Sequence, residues 1–221
     1  MNAPDPVVQK TAEWYALRLG KLTASKVADA TAKIKTGEAA SRRGYRAMLV
    51  AERLTGIAQG VDLSNNKAVQ WGNDAEPLAR AAFEAETGQF VVEVGFVDHP
   101  AIAMSGCSPD GLLDGDGVVE IKCPNTATHI EYLKAGTVPS EYRKQILWQL
   151  AVTGRKWAKF VSFDPRLNQE NQLLIVHFEP TPDEIAELEA EARVFLDEVA
   201  ADELWLRNRG KKAAAIEGCG G

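Results

Sequence analysis

The chain has 221 residues, 45% of them hydrophobic and 25% charged, a size and composition that allow one full globular core. No stretch approaches the ~18 uninterrupted apolar residues of a membrane span. The opening MNAPDPVVQK lacks the basic start and apolar core of a secretory signal, so a cytoplasmic location is expected. Three cysteines, Cys107, Cys123 and Cys219, form no CxxC or Cys/His spacing, which argues against a disulfide framework, a zinc site and a four-cysteine iron–sulfur cluster. The net charge of −6 is unevenly spread: residues 1–60 carry +5, 61–135 carry −8, 136–166 carry +4 and 167–221 carry −7. Two basic segments flanking an acidic centre suit a phosphate track beside a cation site, and unpatterned surface charge explains the same counts equally well.

Residues 1–10, with Pro4 and Pro6, read as a flexible lead-in. A short helix is predicted over Thr11–Leu19, closed by Gly20, and a second from Thr23 or Ser25, either of which can cap it. Glu38–Leu54 reads as a helix ended by Gly56, and Gly56–Asn66 as a loop. Lys67–Thr87 reads as an amphipathic helix ending at Gly88, with a kink or restart expected at Pro77. Phe90–Val97 and Ala101–Ser105 have strand composition. Leu112–Leu113 and Val118–Lys122 flank the hairpin signal Asp114-Gly115-Asp116-Gly117. Helices follow at Thr126–Ala135 and Ser140–Thr153, then strands at Trp157–Phe163 and Gln172–Phe178. A long helix from Pro182 to Arg209 precedes a flexible tail over 210–221. Helices, a three- or four-stranded meander, helices, strands and a helix predict a mixed α/β, α+β-like fold with one domain over 11–209.

The chemistry centres on Ser108-Pro109-Asp110-Gly111, followed by Glu120-Ile121-Lys122. A strand places residues i and i+2 on one face, so Glu120 and Lys122 point together while Ile121 enters the core. Asp110 and Glu120 offer the hard oxygens that Mg²⁺ takes alongside phosphate oxygens and water. Lys122 is suited to holding an attacking water or offsetting charge on a phosphate. The competing reading is a solvated hairpin, and the triplet alone does not decide between them. Hairpin parity adds a demand: with an even loop, Asp110 falls on the face opposite Glu120. A shared site therefore requires a three-residue loop, a bulge, or a bend at Gly111. The DGDG run fails the calcium-loop pattern, because residue 125 is Asn where Glu is needed.

Further segments, in order, are Arg18-Leu19-Gly20-Lys21-Leu22-Thr23-Ala24-Ser25, Trp71-Gly72 with Glu76, Tyr142 with Gln145, and Phe163-Asp164-Pro165-Arg166. With the two central motifs, they make the chain resemble the phage lambda exonuclease and viral-type recombination alkaline exonuclease family, a branch of the PD-(D/E)xK nucleases. The resemblance runs from about Trp14 to Arg207. It implies a restriction-endonuclease-like core, a central mixed β-sheet flanked by helices. It also implies a Mg²⁺-dependent 5′-to-3′ exonuclease that degrades one strand of linear double-stranded DNA from a 5′-phosphorylated end. The 3′ overhang left behind would serve annealing-type recombination.

By the same resemblance, Asp110, Glu120, Lys122, Glu76 and Gln145 are the catalytic positions. Asp110, Glu120, the backbone carbonyl of Ile121 and Glu76 (directly or through water) would hold two Mg²⁺ ions, with Mn²⁺ as a substitute. Gln149, one turn after Gln145, is the weaker candidate for supporting the catalytic groups. Arg18, Ser25 and Ser108 match residues that grip the 5′-phosphate. Unaided, Ser25 reads better as a helix cap and Arg18 as a surface charge. The implied partners are a DNA end, a single-strand annealing protein and two further copies in a ring-shaped homotrimer, in a bacterial or phage-infected cell, with no membrane. The alternatives are an inactive DNA-binding recombination module or a different PD-(D/E)xK nuclease. His99, His129 and His177 match no catalytic position.

Overall fold

The computed structural model of the protein describes residues 7–59 and 66–217. In chain order it contains α1 (Ala12–Arg18), β1 (Leu22–Thr23), a 3₁₀ turn at Ala24–Lys26, α2 (Val27–Ala30), α3 (Ala40–Thr55) and α4 (Lys67–Thr87). Then come β2 (Val97–Asp98), β3 (Ser105–Cys107), β4 (Gly111–Leu113), β5 (Gly117–Lys122), α5 (Thr126–Ala135) and α6 (Ser140–Thr153). The chain continues through β6 (Trp157–Phe163), a 3₁₀ turn at Gln169–Asn171, β7 (Leu173–Phe178) and α7 (Pro182–Glu217).

The main sheet has the order β4-β5-β6-β7, with β5 and β6 parallel and the outer pairs antiparallel. Parallel neighbours need a long crossover, and α5 with α6 provides it. A small sheet, β1-β3-β2, lies apart. This mixed α/β architecture agrees with the sequence reading, but the expected meander divides between two sheets. Phe90–Val97 contributes only the bridge Val92–Leu112 and the first residue of β2. Of Ala101–Ser105 only Ser105 is in a strand, because His99 Nδ1 accepts the backbone N–H groups of Ala101 (3.1 Å) and Ile102 (3.2 Å). Those donors close a local turn, and the strand is displaced to Ser105–Cys107.

Helix boundaries follow local chemistry. Asn66 caps α4 by accepting from Ala68 and Val69, and Gly88 ends it with φ 67°. A kink or a restart was expected at Pro77; α4 runs through it as one helix, so there is no restart. Thr23 precedes the 3₁₀ turn but makes no side-chain capping bond. α7 extends to Glu217, eight residues past the expected end at Arg209; Ala213-Ala214-Ala215 has the highest helix propensity of any residue type. Residues 1–6, 60–65 and 218–221, which include parts of the expected lead-in, loop and tail, lie outside the described residues. Gln9, also in the lead-in, donates to the carbonyls of Val94 (2.8 Å) and Pro109 (2.9 Å).

The strands alternate between two cores. Val118 and Phe160 enter the larger one, with α3, α6 and α7. Val119, Ile121, Val161 and Phe163 enter the smaller one, against Ala79 and Phe83 of α4. Full burial of Phe83 and Phe160 contributes on the order of 2–3 kcal/mol each. α6 is buried at every position from Ile146 to Val152, since it is covered on all sides. The alternation turns Glu120, between Val118 and Lys122, towards α6. No helix among the described residues is long and apolar enough to cross a membrane.

Candidate active site

Leu113 pairs with Gly117, leaving a three-residue loop, Asp114–Asp116. Gly115 and Asp116 adopt φ of 70° and 66°, a left-handed conformation that glycine enters freely and aspartate tolerates. Arg155 donates to the carbonyls of Leu113 (2.6 Å) and Gly117 (2.8 Å), joining both arms. With Gly111 opposite Val119, Asp110 comes in line with Glu120 and on its face. The odd loop therefore meets the parity demand.

Asp110 Oδ2 accepts the N–H of Ile121 at 2.7 Å. The N–H and C=O of one strand residue leave on the same edge, so the Ile121 carbonyl also points past the end of β4, towards Asp110. Burial and then the Glu120 charge push the Asp110 carboxyl up to about 8, with a further push from Glu76, against opposing effects of Lys122 and the Ile121 N–H.

Glu120 is 1% exposed. Its Oε1 accepts from Gln145 Nε2 at 2.5 Å and pairs with the Lys122 ammonium, while Oε2 accepts from Gln149 Nε2 at 2.5 Å. Gln145 and Gln149 lie one turn apart on α6 and face the same carboxylate. Gln149, the weaker candidate by sequence, contacts Glu120 as Gln145 does. Lys122 lies 5.1 Å from the centroid of the Tyr142 ring, which stacks on Phe160. Burial would lower its pKa, but Glu120 and Asp110 outweigh this and raise it above the ordinary lysine value.

Glu76 reaches the same cleft from α4. Its carboxylate pairs with Lys10 at 3.2 Å and Arg80 at 3.1 Å. The cleft, about 380 Å³, is lined by Lys10, Val69, Glu76, Asp110, Lys122 and Tyr142 among others. Lys10 was not anticipated, because its pairing spans 66 residues and no local pattern announces it.

Arg18 donates to Ser108 Oγ at 3.2 Å, and the same oxygen accepts from Trp14 Nε1 at 2.9 Å. The Arg18 guanidinium lies 4.0 Å from the centroid of the Trp14 ring. Burial lowers the Arg18 pKa. Trp14 is a further member that the sequence reading did not single out; its i, i+4 spacing from Arg18 on α1 was the available signal. Ser25 is exposed, and its hydroxyl meets Thr23 at 3.5 Å. Among the described residues that hydroxyl bonds neither Arg18 nor Ser108.

None of the three histidines lines the cleft. His129 is buried between Ser162 (2.7 Å) and the Asn171 carbonyl (2.9 Å), His99 neighbours Glu189, and His177 neighbours Glu179.

The donors fit a hard divalent cation: two carboxylates and a backbone carbonyl on one hairpin, with Glu76 across the cleft. Among the described residues no group of three or more His, Cys, Asp or Glu forms a ready-made metal cluster. Mg²⁺ normally takes one or two carboxylates and completes its shell with water and phosphate oxygens, so the set suits that ion better than zinc.

Fold and site together define a metal-dependent deoxyribonuclease. The YqaJ-like viral recombinase domain model matches residues 13–156, and the chain belongs to that family. The alkaline exonuclease LHK-Exo from Laribacter hongkongensis is 47% identical, with a TM-score of 0.84, over 92% of this chain and 100% of that one. LHK-Exo in complex with dAMP matches at 47% identity and the same coverage, with a TM-score of 0.85. A phage-related exonuclease from Haemophilus somnus 129PT, 15% identical over 82% of this chain and 96% of that one, shares the fold at a TM-score of 0.61. No curated protein matches the chain.

Proposed function

We propose that the protein is a Mg²⁺-dependent 5′-to-3′ exonuclease that degrades one strand of linear double-stranded DNA from a 5′-phosphorylated end and leaves a 3′ overhang for annealing-type recombination. The observation that carries this reading is the odd-loop hairpin, which sets Asp110 beside Glu120 and Lys122, with the Ile121 carbonyl on the same edge. The solved complex of LHK-Exo with dAMP adds support: dAMP is a deoxynucleoside monophosphate, the unit that stepwise hydrolysis of DNA releases.

Asp110, Glu120, the Ile121 carbonyl and Glu76 are the oxygens that would hold two Mg²⁺ ions, or Mn²⁺ in their place. Magnesium there would draw charge from the scissile phosphate and acidify an attacking water. Lys122, held protonated by its two acidic neighbours, is suited to orient that water and to offset charge on the phosphate. Gln145 and Gln149 fix the Glu120 carboxylate in one orientation. Arg18, Ser108 and Ser25 would grip the terminal 5′-phosphate, and that contact sets the direction of attack.

The family resemblance supports a ring-shaped homotrimer, a single-strand annealing partner, and action in the cytoplasm of a bacterial or phage-infected cell. The decisive experiment is digestion of 5′-phosphorylated linear duplex with Mg²⁺. Mononucleotides should leave from the 5′ ends, chelation should stop the reaction, and Lys122→Ala should slow it by at least about 100-fold. No digestion, or equal digestion by Lys122→Ala, would overturn the proposal.

A further inference from the structure

Phe163-Asp164-Pro165-Arg166 has no part in the chemistry above. Asp164, directly after β6, is fully buried. Its carboxylate accepts from Arg166 at three points: backbone N (3.0 Å), Nε (2.7 Å) and Nη2 (2.9 Å). With Pro165 fixing the backbone between them, this aims the guanidinium in one direction. Nη2 also donates to the Pro124 carbonyl at 3.2 Å, two residues beyond Lys122. The guanidinium carbon lies 4.3 Å from the centroid of the Trp71 ring on α4. One side chain thus touches the segment just after the strand that carries Glu120 and Lys122, and the helix that carries Glu76.

α4 has a mechanical reason to use such a contact. Pro77 lacks the N–H that would bond the Asn73 carbonyl, so the helix is weakened at its middle. Its buried residues, Ala75, Ala79 and Phe83, all lie from Ala75 onwards. In the first two turns, Lys67 to Gln70, Asn73 and Asp74 are exposed, whereas Trp71 and Gly72 are half-buried. These turns bring Val69 and Asn73 to the cleft wall.

We propose that Arg166 and Trp71 are positioning residues, a clasp that sets the spacing between the Glu76-bearing helix and the Asp110/Glu120 carboxylates and so tunes divalent-metal binding. The inference rests on the metal-dependent reading of the site. Outer residues that orient metal ligands commonly change affinity by 10–100-fold. Lysine at position 166 keeps the charge beside Asp164, but it cannot lie flat on an indole while also forking to the Asp164 carboxylate and the Pro124 carbonyl.

The test uses the full chain as wild type, Trp71→Ala, Trp71→Phe and Arg166→Lys. Mn²⁺ binding is followed through the electron paramagnetic resonance of the free ion, beside the Mg²⁺ dependence of digestion. Trp71→Ala and Arg166→Lys should weaken Mn²⁺ binding and raise the half-saturating Mg²⁺ concentration by about tenfold, with kcat at saturating metal within about threefold of wild type. Trp71→Phe, which keeps a ring beneath the guanidinium, should restore binding. Should Trp71→Ala fail to fold, Arg166→Lys decides, since it leaves the indole in place. Wild-type Mn²⁺ binding in folded Arg166→Lys, or binding by Trp71→Phe as weak as by Trp71→Ala, overturns the clasp alone. Absence of Mn²⁺ binding in the wild type overturns the clasp together with the reading it rests on.

Discussion

Glu120 carries a carboxylate into a nearly dry interior, which is tolerable only if its oxygens are matched by donors. The two oxygens are unequally served: Oε1 meets both Gln145 and Lys122, whereas the amide of Gln149 is the donor to Oε2. Gln149 is itself fully buried, and its own Oε1 has no hydrogen-bond partner among the described residues. Its orientation is therefore set by its donor end. Gln149→Leu keeps the bulk and strips the donor, so a buried charged oxygen is left alone. We expect a loss of about 1.5–3 kcal/mol in chemical denaturation and a fall of about tenfold or more in kcat at saturating Mg²⁺. Gln145→Leu should cost less stability, because Lys122 still serves Oε1. Equal stability losses in the two variants would show that the donors are not apportioned in this way.

Among the elements, the end of β6 is joined to its surroundings by Asp164. Burial pushes this carboxyl up, but hydrogen bonds from Arg166 and Thr126 outweigh it and hold the pKa down at about 2. A carboxylate depressed in the folded state gives stability that is fully present above its unfolded value, near 3.9, and is lost as pH falls towards the folded value. The contribution is at most about 2 kcal/mol, since Arg166 is half exposed and screened by water. Asp164→Asn should therefore be less stable than wild type at neutral pH, and the gap should close between about pH 4 and pH 2. A gap that stays constant across that window, measured by thermal unfolding, would remove the charge from the explanation.

Elements of this kind were legible where local chemistry closes them. α4 and α5 begin at Asn caps and end at left-handed glycines, so the order of residues alone fixed their limits. The hairpin showed its turn residues and the parity demand, though not which device would meet it. The run from Ala101 was misread because a histidine ring competes with the sheet for the backbone donors of Ala101 and Ile102, and Phe90–Val97 has strand composition yet pairs with the main sheet at the single bridge Val92–Leu112. Trp14 on Ser108, Lys10 on Glu76 and Gln149 on Glu120 join positions far apart in sequence. Only the assembled fold chooses among the many polar residues able to play those parts.

Across the whole molecule, the uneven charge of the sequence is largely resolved by pairing within the chain. Arg42 and Arg46, from the basic first quarter, share Glu198 of α7, and Arg46 also meets Asp202. Lys33 and Lys144 pair with Glu191, and Arg143 with Glu184. The acidic C-terminal helix thus neutralises cations that the sequence alone equally well assigned to a phosphate track, while Lys10 lines the cleft paired with Glu76 and Arg18 bonds Ser108. The two assignments make opposite predictions for Glu198→Gln. If Arg42 and Arg46 serve the α3–α7 contact, the variant should lose about 1 kcal/mol at low salt, a modest figure because Glu198 is partly exposed. The loss should shrink near 1 M salt, where the screening length contracts to about 3 Å, and DNA binding should keep its salt dependence. If instead they serve DNA, removing their acidic partner frees two cations for phosphate, so that binding tightens and its salt slope steepens by up to about one unit per freed contact. Unfolding and DNA titrations across the same salt series separate the two, and the short Arg42–Glu198 and Arg46–Glu198 contacts (2.6 Å and 2.7 Å) favour the first.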